Sequence, residues 1–180
     1  MSFCRVRGFT LVELMVTVAV LAVLMAIGYP SFQSTLRSNR VATGSNELMA
    51  GFALARSEAI RNTRSSGLCP SSDGSSCGQD WSAGWLVWED RDSDGLLGSG
   101  ETVLRYSQGG GKLKVSSGQV LRFVFDGRGR VVAQGASGAA LSGAQSLALQ
   151  PNDCPSGQAF LRTLTISPTG QVRIARGNCT

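Results

Sequence analysis

Asp90, Asp92 and Asp94 stand on alternate residues, Gly95 follows them, and Glu101 closes the twelve-residue span that Asp90 begins. That spacing fits a calcium loop. In such a loop the three aspartates supply alternate oxygens, Gly95 the sharp turn, Leu96 a backbone carbonyl and Glu101 a bidentate carboxylate. The same residue types also make solvated hairpin turns, and the flanking residues read as strands instead of EF-hand helices. The span therefore predicts an acidic hairpin with calcium as its candidate ligand.

A second group is cationic. Gly127-Arg128-Gly129-Arg130 sets two arginines two positions apart. If this stretch is extended, both guanidinium groups point to one side and could grip neighbouring phosphates. Arg162, Arg173 and Arg176 add further positive charge near the C-terminus. A charged turn between solvated strand faces is the plainer reading, and no aromatic series is interleaved to stack on single-stranded bases. Trp81, Trp85 and Trp88 could form a sugar platform, but burial in the core of a small domain is the expected use of such large apolar surfaces.

The absences are informative too. The chain has no histidine, which excludes a histidine-dependent triad, a histidine base and histidine metal ligands. No nucleophile elbow or Ser/Lys signature is present. The sequence predicts a non-enzymatic protein with no small-molecule substrate and no required cofactor.

These groups must be positioned by a chain of 180 residues whose N-terminus is unlike the rest. After Arg5 and Arg7, residues 9–29 hold one charge, Glu13, in 21 positions. As a helix this run extends about 31 Å, enough to cross a bilayer core. Ala26-Ile27-Gly28 could end an ordinary secretory signal, but a disposable signal has no use for a carboxylate that costs a few kcal/mol in hydrocarbon. A membrane anchor is expected, with the basic leader cytoplasmic and the remainder periplasmic.

Gly8-Phe9-Thr10-Leu11-Val12-Glu13 resembles the signal of type IV pilins and type II secretion pseudopilins. The resemblance implies that a prepilin peptidase cuts between Gly8 and Phe9 and that Phe9 is then N-methylated. It also implies that Glu13 pairs with the N-terminal amine of a neighbouring subunit, and that Pro30 kinks the helix. Removal of Arg5 and Arg7 would lower the formal charge from +5 to +3, too little to argue for a polyanionic partner.

Cys69, Cys77, Cys154 and Cys179 remain after loss of Cys4 with the leader. In an oxidising compartment four cysteines predict two disulfides. Three pairings are possible; Cys69–Cys77 with Cys154–Cys179 is the expected one. Their spacings match no usual zinc pattern.

Residues 30–63 read as an amphipathic continuation of the helix. Phe32, Leu36, Val41, Leu48, Phe52, Ala55 and Ala59 form its apolar side. From residue 64 the pattern changes to short strands, expected at 84–88, 102–106, 113–115, 120–125, 131–133, 146–149, 160–166 and 172–175. Residues 135–143 read as a loop. The expected fold is α+β: a long kinked N-terminal helix, half membrane and half amphipathic, packed on an antiparallel β-sheet head.

Asp80-Trp81-Ser82-Ala83-Gly84-Trp85-Leu86-Val87-Trp88, with the acidic turn after it, is similar to the GspH/FimT family of minor pseudopilins. Some pilins of that type bind DNA through a Gly-Arg-x-Arg motif near the C-terminus. Here that motif occurs at Gly127 to Arg130, whereas the C-terminal position reads Gly170-Gln171-Val172-Arg173. The resemblance implies a minor pilin of an inner-membrane-assembled type IV pilus, in contact with other pilins and with DNA as a candidate partner. A type II secretion pseudopilus subunit is the alternative.

Overall fold

The computed structural model describes residues 8–179. Cys4, Arg5 and Arg7, on which the expected leader and its orientation rest, lie outside the described residues. Among the described residues one α-helix, α1 (Leu11–Asn62), is followed by ten strands, with a single 3-10 turn, Trp81–Ala83, between the first two. The chain divides into two compact units, one ending at Arg37 and the other beginning at Ser38.

In the first unit Thr10 caps α1, its hydroxyl accepting the N–H of Glu13 at 3.2 Å. Thr-x-x-Glu is the sequence form of a capping box, and Thr10 satisfies one of the donors that the first helical turn leaves open. Among the described residues the side chains that follow find no cover: Leu11 is 75% exposed and Leu21 55%. Thr17 turns its hydroxyl back onto the carbonyl of Leu14 at 2.9 Å, so even this polar group has a partner within the helix. The helix continues through Pro30. Phe32, expected on the buried face, is 62% exposed.

The second unit opens with residues 38–62 of α1. Val41, Leu48, Phe52, Ala55 and Ala59 are buried there, as their spacing predicts. Gly51 lets the helix approach the sheet, since a Cβ at that position would meet the Trp85 ring at 2.7 Å. Past Asn62, Thr63 takes a left-handed conformation (φ 53°), while the N–H groups of Thr63 and Arg64 bond to the carbonyls of Ile60 and Ala59. This is a Schellman stop made without glycine.

The strands are β1 (Ser65–Pro70), β2 (Gly84–Asp90), β3 (Thr102–Gln108), β4 (Leu113–Ser116), β5 (Arg122–Phe125), β6 (Val131–Gln134), β7 (Ala140–Leu141), β8 (Gln145–Pro151), β9 (Leu161–Ile166) and β10 (Val172–Gly177). They form two antiparallel sheets, ordered β3-β2-β1-β5-β6-β7 and β10-β9-β8-β4. Leu68, Trp85, Phe123 and Phe125 from the first sheet join Leu147, Leu149, Leu164 and Ile166 from the second in one core with the helix. Phe52 is central to it, packing edge-on to Phe123 and Phe125 at centroid distances of 5.0 and 6.4 Å.

Two strands lie where none was expected. β1 occupies the stretch Ser65-Ser66-Gly67-Leu68-Cys69-Pro70, whose serine, glycine and proline read as helix breakers. It pairs with β2 on one side and β5 on the other. Gly67 is required there because a Cβ would overlap the ring of Trp88, its cross-strand partner. The short β7 falls inside residues 135–143 and pairs with Ala133 and Gln134.

A smaller cluster lies apart from the main core. Cys69, Leu86 and Trp88 are buried together, with Leu97 and Val103 packed against them. Trp81 and Trp85 belong to the main core, so the three tryptophans pack the interior and form no exposed platform.

Candidate functional site

Gly8 and Phe9 precede the first turn of α1, and both are exposed. Among the described residues a Cβ on Gly8 would meet no atom within 4 Å, so none of them calls for glycine at that position. Glu13 is exposed on the first turn and is the helix's acidic residue there. Around it α1 is apolar and uncovered among the described residues, and the helix is long and apolar enough to cross a membrane.

The acidic loop joins β2 to β3. Asp90 ends β2 and is fully buried, whereas Asp92 and Asp94 are exposed. One carboxylate oxygen from each of the three lies within 4.8 Å of the other two. The loop is wound by its own aspartates: Asp90 Oδ2 accepts the N–H of Gly95 at 3.1 Å, Asp92 that of Asp94 at 3.2 Å, and Asp94 that of Leu96 at 2.7 Å. Ser93 (φ 61°) and Gly95 (φ 75°) take the left-handed conformations that this winding needs. Burial pushes the Asp90 carboxyl up to about 6, against the opposing pull of the Gly95 N–H.

Glu101 is placed differently from the calcium-loop pattern. Its oxygens accept the N–H groups of Arg91 at 2.8 Å and Gly98 at 2.9 Å, so it clasps the loop's two ends and does not join the three-aspartate group. Leu96 donates its N–H inward to Asp94 while its side chain is 46% exposed.

The arginine motif at 127–130 is a turn and not an extended strand. Asp126 Oδ1 accepts the N–H groups of Arg128 and Arg130, each at 2.9 Å, and Arg130 also pairs with Asp126 Oδ2 at 3.0 Å. Although burial opposes it, this set of donors holds the Asp126 carboxyl below its usual value. Arg128 and Arg130 are both exposed. Arg173 and Arg176 are three residues apart on β10 and so point to opposite faces. Arg176 instead pairs across strands with Arg162, whose pKa is lowered by burial and then by the Arg176 charge.

The sequence did not indicate that the two glycine turns meet. The N–H of Val131 bonds to Pro168 at 3.0 Å, and a Cβ on Gly170 would collide with the carbonyl of Gly129. Arg56 of α1 joins them, donating to the carbonyl of Gly170 at 3.1 Å. Arg56 and Arg173 line a groove of about 530 Å³ whose other walls include Met49, Phe52 and Ile60. The helical spacing placed Arg56 off the apolar face, but nothing in the sequence linked it to turns more than seventy residues away.

Cys69 is joined to Cys77 and Cys154 to Cys179, each pair with a Cα–Cα separation of 5.7 Å. Inside the first loop the Ser76 hydroxyl and the N–H groups of Ser75 and Ser76 hold the Asp73 carboxyl far below its usual range. The second disulfide ties the C-terminal end, where the N–H of Cys179 bonds to the carbonyl of Gln158 at 2.9 Å.

The geometry has known counterparts. Residues 4–29 match the prokaryotic N-terminal methylation motif. Prepilin peptidase-dependent protein D of Escherichia coli (strain K12) is 58% identical over 31 residues, 17% of this chain and 21% of that protein. The match therefore spans about a fifth of that relative's length. Two crystal structures of the type IV minor pilin FimU of Pseudomonas aeruginosa share the fold. One is 22% identical with a TM-score of 0.53, covering 76% of this chain and 89% of its own. The other is 23% identical with a TM-score of 0.51, covering 74% and 91%. The model of the type II transport protein GspH matches residues 44–170, well over half of the chain, and the chain accordingly belongs to the GspH family as a minor pseudopilin, a pilin-like structural subunit.

Proposed function

We propose that this chain is held in the inner membrane by residues 9–29 until it enters a type IV pilus as a minor subunit. The observation that carries this reading is the contrast between a head with a complete core of its own and an apolar helical segment with none of its surface covered. In the fibre, the helices of neighbouring subunits replace lipid around that segment. Glu13 then meets the N-terminal amine that cleavage between Gly8 and Phe9 creates, which relieves the cost of carrying a carboxylate through an apolar environment. The openness around Gly8 supports a requirement set by the peptidase instead of by the fold.

Glu13→Leu tests the assembly step. The variant is expected to remain in the membrane with its head intact and to disappear from sheared fibres; normal recovery in fibres would overturn the role given to Glu13. Gly8→Val tests processing, with the intact leader expected by mass spectrometry. Deletion of the gene separates the two possible systems. Loss of pili with secretion intact supports the pilus, and the reverse result assigns the subunit to a type II secretion pseudopilus.

A second reading, DNA capture, is favoured by the meeting of the 126–130 and 167–171 turns beside Arg56. It calls for duplex binding by the full chain in detergent that weakens steeply with salt and with Arg128→Ala. Binding that is unchanged by that substitution would remove these turns from consideration.

A further inference from the structure

We propose that the loop between β2 and β3 is a calcium site built on Asp90, Asp92 and Asp94, with Glu101 as its clasp and not as a ligand. Two independent observations support the site. One is the convergence of three carboxylate oxygens to within 4.8 Å. Two oxygens on one ion can be separated by at most twice the metal–oxygen distance, about 4.6–5.2 Å for calcium, so the aspartates need little movement to share one.

The other is an unsatisfied atom. Asp90 is 0% exposed; its Oδ2 takes the N–H of Gly95, the Ser93 N–H also draws on the carboxyl, and among the described residues no group meets hydrogen-bond geometry at its Oδ1. Buried polar atoms in native proteins are almost always paired, and a lone carboxylate oxygen is among the costliest exceptions. A cation seated between Asp90 and the exposed Asp92 and Asp94 supplies the missing partner. The nearby arginines are directed elsewhere: Arg91 is engaged with Glu89 at 3.2 Å and with the Thr102 hydroxyl, and Arg122 donates to the carbonyl of Gly95 at 3.4 Å.

The donors are all hard oxygens, which select calcium, magnesium or manganese over softer metals. One buried carboxylate at a strand end and two exposed ones on the loop, completed by water, suit calcium's irregular coordination better than magnesium's strict octahedron. The ion would have a structural consequence. Leu97, on this loop, packs against the small cluster of Cys69, Leu86 and Trp88, so fixing the loop also fixes the cover over Trp88.

The test uses the full chain in detergent micelles, stripped with EDTA and titrated with calcium chloride in a calorimeter, while tryptophan fluorescence follows thermal unfolding. A dissociation constant on the order of 0.1–1 mM is expected, the range of extracellular calcium modules, together with a calcium-dependent rise in Tm. Asp92→Asn and Asp94→Asn, in which the amide oxygen can still accept the N–H groups of Asp94 and Leu96, should each weaken binding at least about tenfold, with an unchanged metal-free Tm as the control for the loop's fold. No heat and no Tm shift at about 10 mM calcium would overturn the proposal. So would undiminished binding by both variants, which would mean adventitious association, or equal affinity for magnesium, which would remove the assignment to calcium.

Discussion

Leu21 and Leu48 lie on the same helix, yet one is 55% exposed and the other 2%. The difference follows from the pattern around each. Residues 11–29 are apolar on every side apart from Glu13, and such a helix is satisfied only by surroundings that are apolar on every side. Residues 38–62 carry a stripe, with Glu47, Arg56 and Arg61 placed off it, and a stripe is satisfied by one partner. The two sheets of the head are that partner. The second half is thus completed by its own chain, whereas the first has no cover among the described residues. The proposed membrane anchoring and fibre entry call for this division.

The sharpest way to break the comparison is the same kind of truncation in each half. Phe52→Ala removes a ring that packs on Phe123 and Phe125, and should lower head stability by about 3–5 kcal/mol in urea unfolding followed by tryptophan fluorescence. Leu21→Ala should leave that transition unmoved. Should Leu21→Ala shift the midpoint comparably, the two halves would be one cooperative unit and the division would be lost.

The disulfides sharpen the point within the head. They close loops with sequence separations of 8 and 25, and restricting the unfolded chain gives each a contribution of about 2.5–3.5 kcal/mol, larger for the longer loop. Replacing Cys154 and Cys179 with serine should therefore cost more than replacing Cys69 and Cys77, by a few tenths to about 1 kcal/mol. The reverse order in parallel urea titrations would show that Cys69–Cys77 acts mainly by holding the cover over Trp88.

Much of this was legible in the sequence. Periodicity placed Val41, Leu48, Phe52, Ala55 and Ala59 on the buried face because that spacing belongs to a helix on a sheet whatever the sheet's order. β1 was hidden for a physical reason: Gly67 is dictated by a tryptophan 21 positions later, and a requirement set by a distant partner leaves no local signal. The same holds at the sites. Alternate aspartates mark a potential cation loop, but whether Glu101 serves an ion or the N–H groups of Arg91 and Gly98 depends on how the chain closes. Spacing suggested that Arg128 and Arg130 share a side; Asp126, drawing in both N–H groups, made the stretch a turn.

Asp126 offers the smallest and most specific test of the division. Its hydrogen bonds from Arg128 and Arg130 hold its carboxyl below the reference value of 3.8 in the folded state. A carboxylate so depressed contributes stability at pH values above the unfolded pKa and loses that contribution as pH falls through the folded pKa. The Asp126 side chain is 40% exposed, so solvent screening keeps the effect small. Asp126→Asn removes the titrating group, so the midpoint difference between parent and variant should narrow as pH is lowered from about 5 to about 3. Membrane retention, which depends on residues 11–29 and not on this turn, should stay constant throughout. A difference independent of pH would mean that Asp126 acts through turn geometry alone, and a parallel loss of membrane retention would mean that the two halves of α1 do not divide their partners as described.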